Sequence, residues 1–203
     1  MPRPQPLLPT LTSLLLLPAL LSFSTLTAAV NTQHDVTLDF TGRAQIHVLN
    51  TTDLTKASPL ADRIGCLDAH GMLTSTEEDC AVFTRLSDLP YTLSTPAGNC
   101  SFRDENMPLN RDSVYGRNTH AWSCGRGAGG EDKGVEYYYT INGLNYPFVC
   151  NGNLNCYYDT LDARPAETGG PLPVWQFFWG SQQFDVAKGI SRVAWLWAPV
   201  PKE

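Results

Sequence analysis

The side chains of this chain that move protons are scattered, with no spacing that pairs them. Carboxylates occur at Asp104, Glu105, Asp112, Glu131, Asp132, Glu136 and Asp159, and histidines at His34, His47, His70 and His120. Cleaving a glycosidic bond needs two carboxyl groups facing one sugar across a defined gap. Spacing along the chain selects no such pair across a β-fold, and most of these acids stand in polar loop sequence where solvation explains them. Metal-independent cleavage of RNA needs one histidine as base, a second as acid and a cation for the phosphate. His47 and His120 fall in strand-like sequence, with Glu136, Arg103 and Arg117 elsewhere, but two half-buried histidines are the ordinary outcome of such placement. A Gly-x-Ser-x-Gly nucleophile turn is absent.

Metal and cofactor patterns are equally thin. The sequence contains no Cys-x-x-Cys, Cys-x-x-His, His-x-His or helical His-x-x-x-His pair, so no metal is expected. The "DENMPLNRD" segment offers Asp104, Asn106, Asn110 and Asp112 as oxygen ligands, without the glycine and closing glutamate of a hand-type calcium loop. Gly125 to Gly130 matches Gly-x-Gly-x-x-Gly. A dinucleotide site would need a helix to begin there, whereas "EDKG" and a tyrosine-rich strand follow, so the segment reads as a hairpin tip. No cofactor is expected.

Aromatic residues are in surplus. Tyr137, Tyr138 and Tyr139 are consecutive, so a strand there sends rings to both faces; Trp175, Phe177 and Trp179 share one face, as do Trp195 and Trp197. The tryptophans, Trp122 included, read mainly as core. Tyr138, the amides Asn151, Asn153 and Asn155, and Gln182 and Gln183 are then the expected surface ligand-binding residues, a flat ring beside amides being suited to a sugar.

The elements that must position these groups are strands. Val36, Leu38 and Phe40 alternate before Thr41-Gly42, and Ile46 and Val48 alternate after it, which predicts a hairpin. His70-Gly71 predicts a turn, and Ser75 or Thr76 the start of a short helical turn. Val135, Tyr137, Tyr139 and Ile141 alternate up to Asn142-Gly143, a pair suited to a tight turn, and Leu144, Tyr146 and Phe148 alternate beyond it. "PVWQFFWGS" and "SRVAWLWAP" predict two further strands. No long segment has helical periodicity. The fold class expected is mostly β: a single-domain antiparallel β-sandwich or barrel with three disulfides.

Residues 1–29, with Arg3, a leucine-rich apolar run and small residues at Thr27, Ala28 and Ala29, read as a secretory signal peptide ahead of one domain at 30–203. The run is short and contains Pro18, so a membrane anchor fits less well. Removing 1–29 takes away Arg3 and no acid, moving the formal charge from −6 to −7. That charge argues against nucleic-acid partners and against anionic membranes. Secretion exposes the six cysteines to an oxidising compartment, where an even count implies disulfides. Pairing of neighbours in order is favoured: Cys66–Cys80, Cys100–Cys124 and Cys150–Cys156. For the last, a two-residue turn at Asn151-Gly152 and a five-residue bridged loop compete, and the bridged loop leaves no thiol seeking a distant partner. Asn50-Thr51-Thr52 and Asn99-Cys100-Ser101 are acceptor motifs for N-glycosylation.

The order "GCLDAHGMLT", "DCAVFT", "GNCSF", "DSVYG", "HAWSC", "CYYD" and "WQFFWGSQQ" resembles the small secreted cysteine-containing proteins of filamentous fungi. The resemblance covers most of the chain beyond 29. It implies secretion and a role at a cell wall or a host surface, and transfers no catalytic residue. The expected function is non-catalytic binding of an extracellular polysaccharide or protein. A small secreted hydrolase, either ribonuclease or glycosidase, and an effector or toxin acting on a protein receptor are the alternatives.

Overall fold

Ala44, Ile46 and Val48 alternate with Arg43, Gln45 and His47, and this period of two makes residues 42–49 the central strand of the fold. The structure, a computed structural model, describes residues 40, 42–85, 92–110, 119–125, 136, 138–141, 143–151, 156–177 and 188–201. The chain divides into two units, Met1–Gln33 and His34–Glu203, and every described residue belongs to the second. The leader at 1–29 and the strand expected at Val36–Leu38 lie outside the described residues.

The described strands are β1 (Gly42–Leu49), β2 (Arg63–Leu67), β3 (Leu73–Thr74), β4 (Val82–Arg85), β5 (Leu93–Thr95) and β6 (Gly98–Ser101). They continue with β7 (Ser123–Cys124), β8 (Tyr138–Tyr139), β9 (Phe148–Asn151), β10 (Tyr157–Leu161), β11 (Val174–Gln176) and β12 (Ile190–Pro199). A single-turn helix, α1 (Pro165–Thr168), and a 3-10 turn at Glu77–Asp79 complete the list. Thr76 stands at the start of that turn without a side-chain cap. The strands form one antiparallel sheet in the order β11-β10-β12-β1-β4-β5-β6-β7, with β2 and β3 branching from β1, and β9 and β8 from β12. The two ends of this path touch: Trp122 N–H, just before β7, donates to the Val174 carbonyl of β11 at 2.7 Å.

Strand β12 explains why so little aromatic surface is left over. Val193, Trp195 and Trp197 face one cluster with Ile46, Phe83, Phe102, Trp122, Tyr138 and Tyr158. Ala194 and Leu196, on the opposite face, pack in a second cluster with Leu49, Phe148, Cys150 and Cys156. With both faces covered, the strand reads as a continuous apolar run instead of an alternation. In the first cluster the Tyr158 ring stacks on Trp195 at 3.6 Å between centroids, and Trp122 tilts against Trp195 at 4.6 Å. The expected His70-Gly71 turn forms. Gly71 has φ of 88° and Trp122 ring carbon 2.8 Å from where a Cβ would stand, so conformation and space both demand glycine.

The disulfides join Cys66 to Cys80, Cys100 to Cys124 and Cys150 to Cys156, neighbours in order. Their sequence separations of 14, 24 and 6 rank the chain entropy each removes from the unfolded state. On the loop-entropy relation, replacing the Cys100–Cys124 pair by alanines is expected to cost roughly 3 to 4 kcal/mol, and the Cys150–Cys156 pair roughly 2. Urea unfolding of the two paired variants measures this, and equal losses would show that native-state contacts, not loop length, set the order.

Candidate functional site

Cross-strand pairing aligns short polar side chains into the floor of a groove. Arg43 of β1 stands opposite Thr84 of β4, and Thr84 opposite Ser94 of β5. Residues directly opposite share a face of the sheet, and here their in-line neighbours Ala44, Phe83 and Leu93 are buried in the core. The outward row is walled by the loop from Asp68 to His70, the segment from Glu78 to Val82, and Pro96, enclosing about 830 Å³. That volume lies in the range of small-molecule sites. Asp68 shapes one wall, its Oδ1 accepting from the N–H groups of His70 and Met72, both at 2.9 Å. Thr95 Oγ1 donates to the Ala69 carbonyl at 2.8 Å and ties that wall to β5. The Cys66–Cys80 bridge anchors the other wall. Exposed Glu78 and Asp79 add carboxylate acceptors, Arg43 donors, Thr84 a hydroxyl that does both, and Ser94 a hydroxyl that donates to the Thr84 carbonyl at 3.4 Å and can still accept.

Among the described residues, two carboxyl groups largely withdrawn from solvent, Glu136 and Asp159, lie elsewhere. Glu136 Oε2 accepts from Tyr138 Oη–H at 2.7 Å, and Oε1 from Phe102 N–H at 2.8 Å, with Arg103 Nε at 3.6 Å. Burial pushes the Glu136 pKa up, while the Tyr138 and Phe102 bonds and the Arg103 charge pull it back. Tyr138 Oη also accepts from Trp122 Nε1–H at 2.6 Å, and burial, with the Glu136 charge, raises its pKa well above the usual tyrosine value. Asp159 is 2% exposed, and burial lifts its pKa to about 7 against the pull of Arg192 and Asn110. Its Oδ1 is buried with no hydrogen-bond partner among the described residues. Arg192, opposite Asp159 across β10 and β12, lays its guanidinium over the Phe177 ring at 4.4 Å.

These carboxyl groups do not form a catalytic pair. Tyr158 stacks on Trp195 within the first cluster, so strand alternation turns Asp159 to the opposite face. Glu136 belongs with Tyr138 and Trp122 on the Trp195 side. Two acids on opposite faces of the sheet cannot flank one glycosidic bond. The histidines are also apart. His47 is on β1, its Nε2 3.3 Å from Gln45 Oε1, and burial lowers its pKa. His120 Nδ1 lies 2.9 Å from the Met107 carbonyl, in a loop fastened to β11 by Trp175 Nε1–H donating to the Pro108 carbonyl. Strands β10 and β12 stand between β11 and β1 in the sheet. Of the groups suited to RNA cleavage that are described, Glu136 and Arg103 come together, and Arg117 lies outside the described residues. Asp104 Oδ1 is engaged by Asn106, and among the described residues no three His, Cys, Asp or Glu side chains converge as a metal site would require.

Two sequence-based expectations for surface ligand binding need correction. Tyr138 is 1% exposed, its ring against Trp122 and its hydroxyl in the Glu136 network, so it offers no platform. Asn151 is also buried, its Oδ1 accepting from Gln176 Nε2–H at 2.6 Å, so its amide holds β9 near β11. Asn153, Asn155, Gln182 and Gln183 lie outside the described residues. Trp122, Trp175, Trp195 and Trp197 are buried, as the core reading of the tryptophans expects. Sequence reasoning missed the groove. The available signal was the outward parity of Arg43, Thr84 and Ser94 beside apolar neighbours, but nothing local aligns three strands so far apart in the chain. No protein-family model, curated protein or solved structure matches this chain.

Proposed function

We propose that this chain is a secreted, non-catalytic binding protein for a neutral extracellular polysaccharide, with the Arg43–Pro96 groove as its site. The observation that carries this reading is the row Arg43, Thr84 and Ser94 between walls bearing Glu78 and Asp79. A sugar ring presents hydroxyls that both donate and accept, and this row meets them with both. Carboxylates and the chain's net charge of −6 repel polyanions. Among the described lining residues none is Phe, Tyr or Trp, so affinity rests on hydrogen bonds and on several sugars bound along one polymer. The separation of the buried acids and of the two histidines supports binding over hydrolysis.

The test is sedimentation of the secreted, oxidised protein with insoluble chitin, cellulose and β-glucan. Saturable binding to one polymer is expected, and Arg43→Ala is expected to weaken it about tenfold, the cost of one hydrogen bond from a charged donor. Thr84→Val, which keeps the shape and removes the hydroxyl, should weaken binding less. Absence of binding to all three polymers, or binding unchanged in both variants, would rule the groove out as a glycan site. Saturable binding to a protein without competition by sugars would favour the effector alternative.

A further inference from the structure

We infer that Asn50 is a site of N-glycosylation and that Asn99, despite an equally complete motif, is left bare. The inference rests on the secretory part of the proposed function and not on the groove's ligand. Asn50 follows β1, is exposed, and is followed two residues later by exposed Thr52. Its backbone N–H donates to the Asp62 carbonyl at 2.8 Å, which holds the main chain while the residue stays exposed. Beside it opens a cleft of about 270 Å³ bordered by Ile64, Leu161, Arg164, Pro165 and Ser191. This is just below the usual range for small-molecule sites and suits a single sugar.

Asn99 differs in everything except its own exposure. Its motif runs through β6, where Cys100 is fully buried in its bridge to Cys124. Ser101 is 5% exposed, and its hydroxyl accepts from Arg103 N–H at 3.2 Å. Transfer engages the hydroxyl at the third position of the motif along with the asparagine, and once β6 pairs with β7 and Cys100 bridges Cys124 that hydroxyl is enclosed, so Asn99 stays bare when this pairing precedes transfer. The donor is a polyprenyl-diphosphate-linked oligosaccharide. Nδ2 of Asn50 forms a bond to C1 of the first N-acetylglucosamine, the bond from C1 to the diphosphate oxygen breaks, and polyprenyl diphosphate departs with its electron pair. One amide proton is lost, and nothing is oxidised or reduced.

The two positions also differ in what a glycan would cover. Asn99 is directly opposite Ser94, so a glycan there would lie over the groove floor. Asn50 is seven residues along the chain from Arg43, roughly 23 Å of extended strand, and a glycan there leaves the groove clear. Intact-mass and peptide mass spectrometry of the full chain from a secreting eukaryotic host tests the assignment. One glycan is expected, absent from Asn50→Gln and Thr52→Ala and retained in Asn99→Gln. A glycan on Asn99 of the secreted protein, a secreted protein bare at Asn50, or an unmodified chain kept inside the cell would each overturn it. Polysaccharide binding by Asn50→Gln reads the groove separately, so failure of one proposal is not mistaken for failure of the other.

Discussion

Trp122→Ala is expected to destabilise the fold by about 4 kcal/mol, the middle of the range for emptying a buried tryptophan site. Trp122 is wholly buried. Its ring touches Phe83, Phe102, Tyr138 and Trp195, with centroids 4.6 to 6.4 Å away. Collapse of the cavity is opposed from two sides. Trp195 is held by its stack on Tyr158, and Gly71, pressed against the indole, belongs to a turn closed by its own N–H bond to the Asp68 carbonyl. Alanine also removes the Nε1–H donor to Tyr138. Trp122→Phe separates the terms: it keeps a ring and loses the bond, and is expected to cost about 1 to 2 kcal/mol. Denaturant unfolding followed by far-UV circular dichroism measures both, with the fold treated as two-state. A Trp122→Ala loss under about 1 kcal/mol would mean that the cluster rearranges around the gap, contrary to the close packing described.

Asp159→Asn is expected to make the protein more stable at pH 8 and to flatten its pH dependence between about pH 4 and 7. Asp159 has a folded pKa of about 7 against an ordinary value of 3.8. Below 3.8 both states carry the proton and no penalty exists. As pH rises past 3.8 the unfolded state ionises first, so the folded state binds more protons and stability falls with each further increase in pH. The fall is complete once pH passes the folded value near 7, and about three pK units correspond to about 4 kcal/mol. Glu136 is shifted the same way and adds to the slope. Asp53, held at about 2 by bonds from Thr55 and Lys56, acts oppositely and only below 3.8. Urea midpoints at half-unit steps from pH 4 to 8 should therefore fall in the wild type and fall less in Asp159→Asn. Parallel curves would show that Asp159 reaches water in solution and carries an ordinary pKa. Buried Asn110 and partly buried Arg192 remain beside the substituted amide, so the change removes a charge from the site without emptying it.

The aromatic residues mark the point where local periodicity stops predicting exposure. Consecutive Tyr137, Tyr138 and Tyr139 cannot all face one core, which made an outward ring a sound expectation. Tyr138 is nevertheless buried on one side, and partly buried Tyr139 packs against the second cluster on the other. Alternation predicts solvent on one face only when a sheet has a single core. Here loops and strands cover both faces around β9 and β12, a property of long-range packing. The burial of Asp159 was not legible for the same reason, since it depends on β11, β12 and Asn110 closing around β10.

The features legible in the residues were local or nearly so. Period-two alternation set the antiparallel β character, the one residue free of a Cβ set the His70-Gly71 turn, and short separations that favour neighbouring partners set the order of the disulfides. The apolar content of the last strand already marked its tryptophans as core. Long-range packing sets which acids are withdrawn from water, turns Glu136 and Asp159 to opposite faces, and brings Arg43, Thr84 and Ser94 into one row. Burial and cross-strand register depend on contacts between segments tens of residues apart, and no local periodicity encodes which segments will meet.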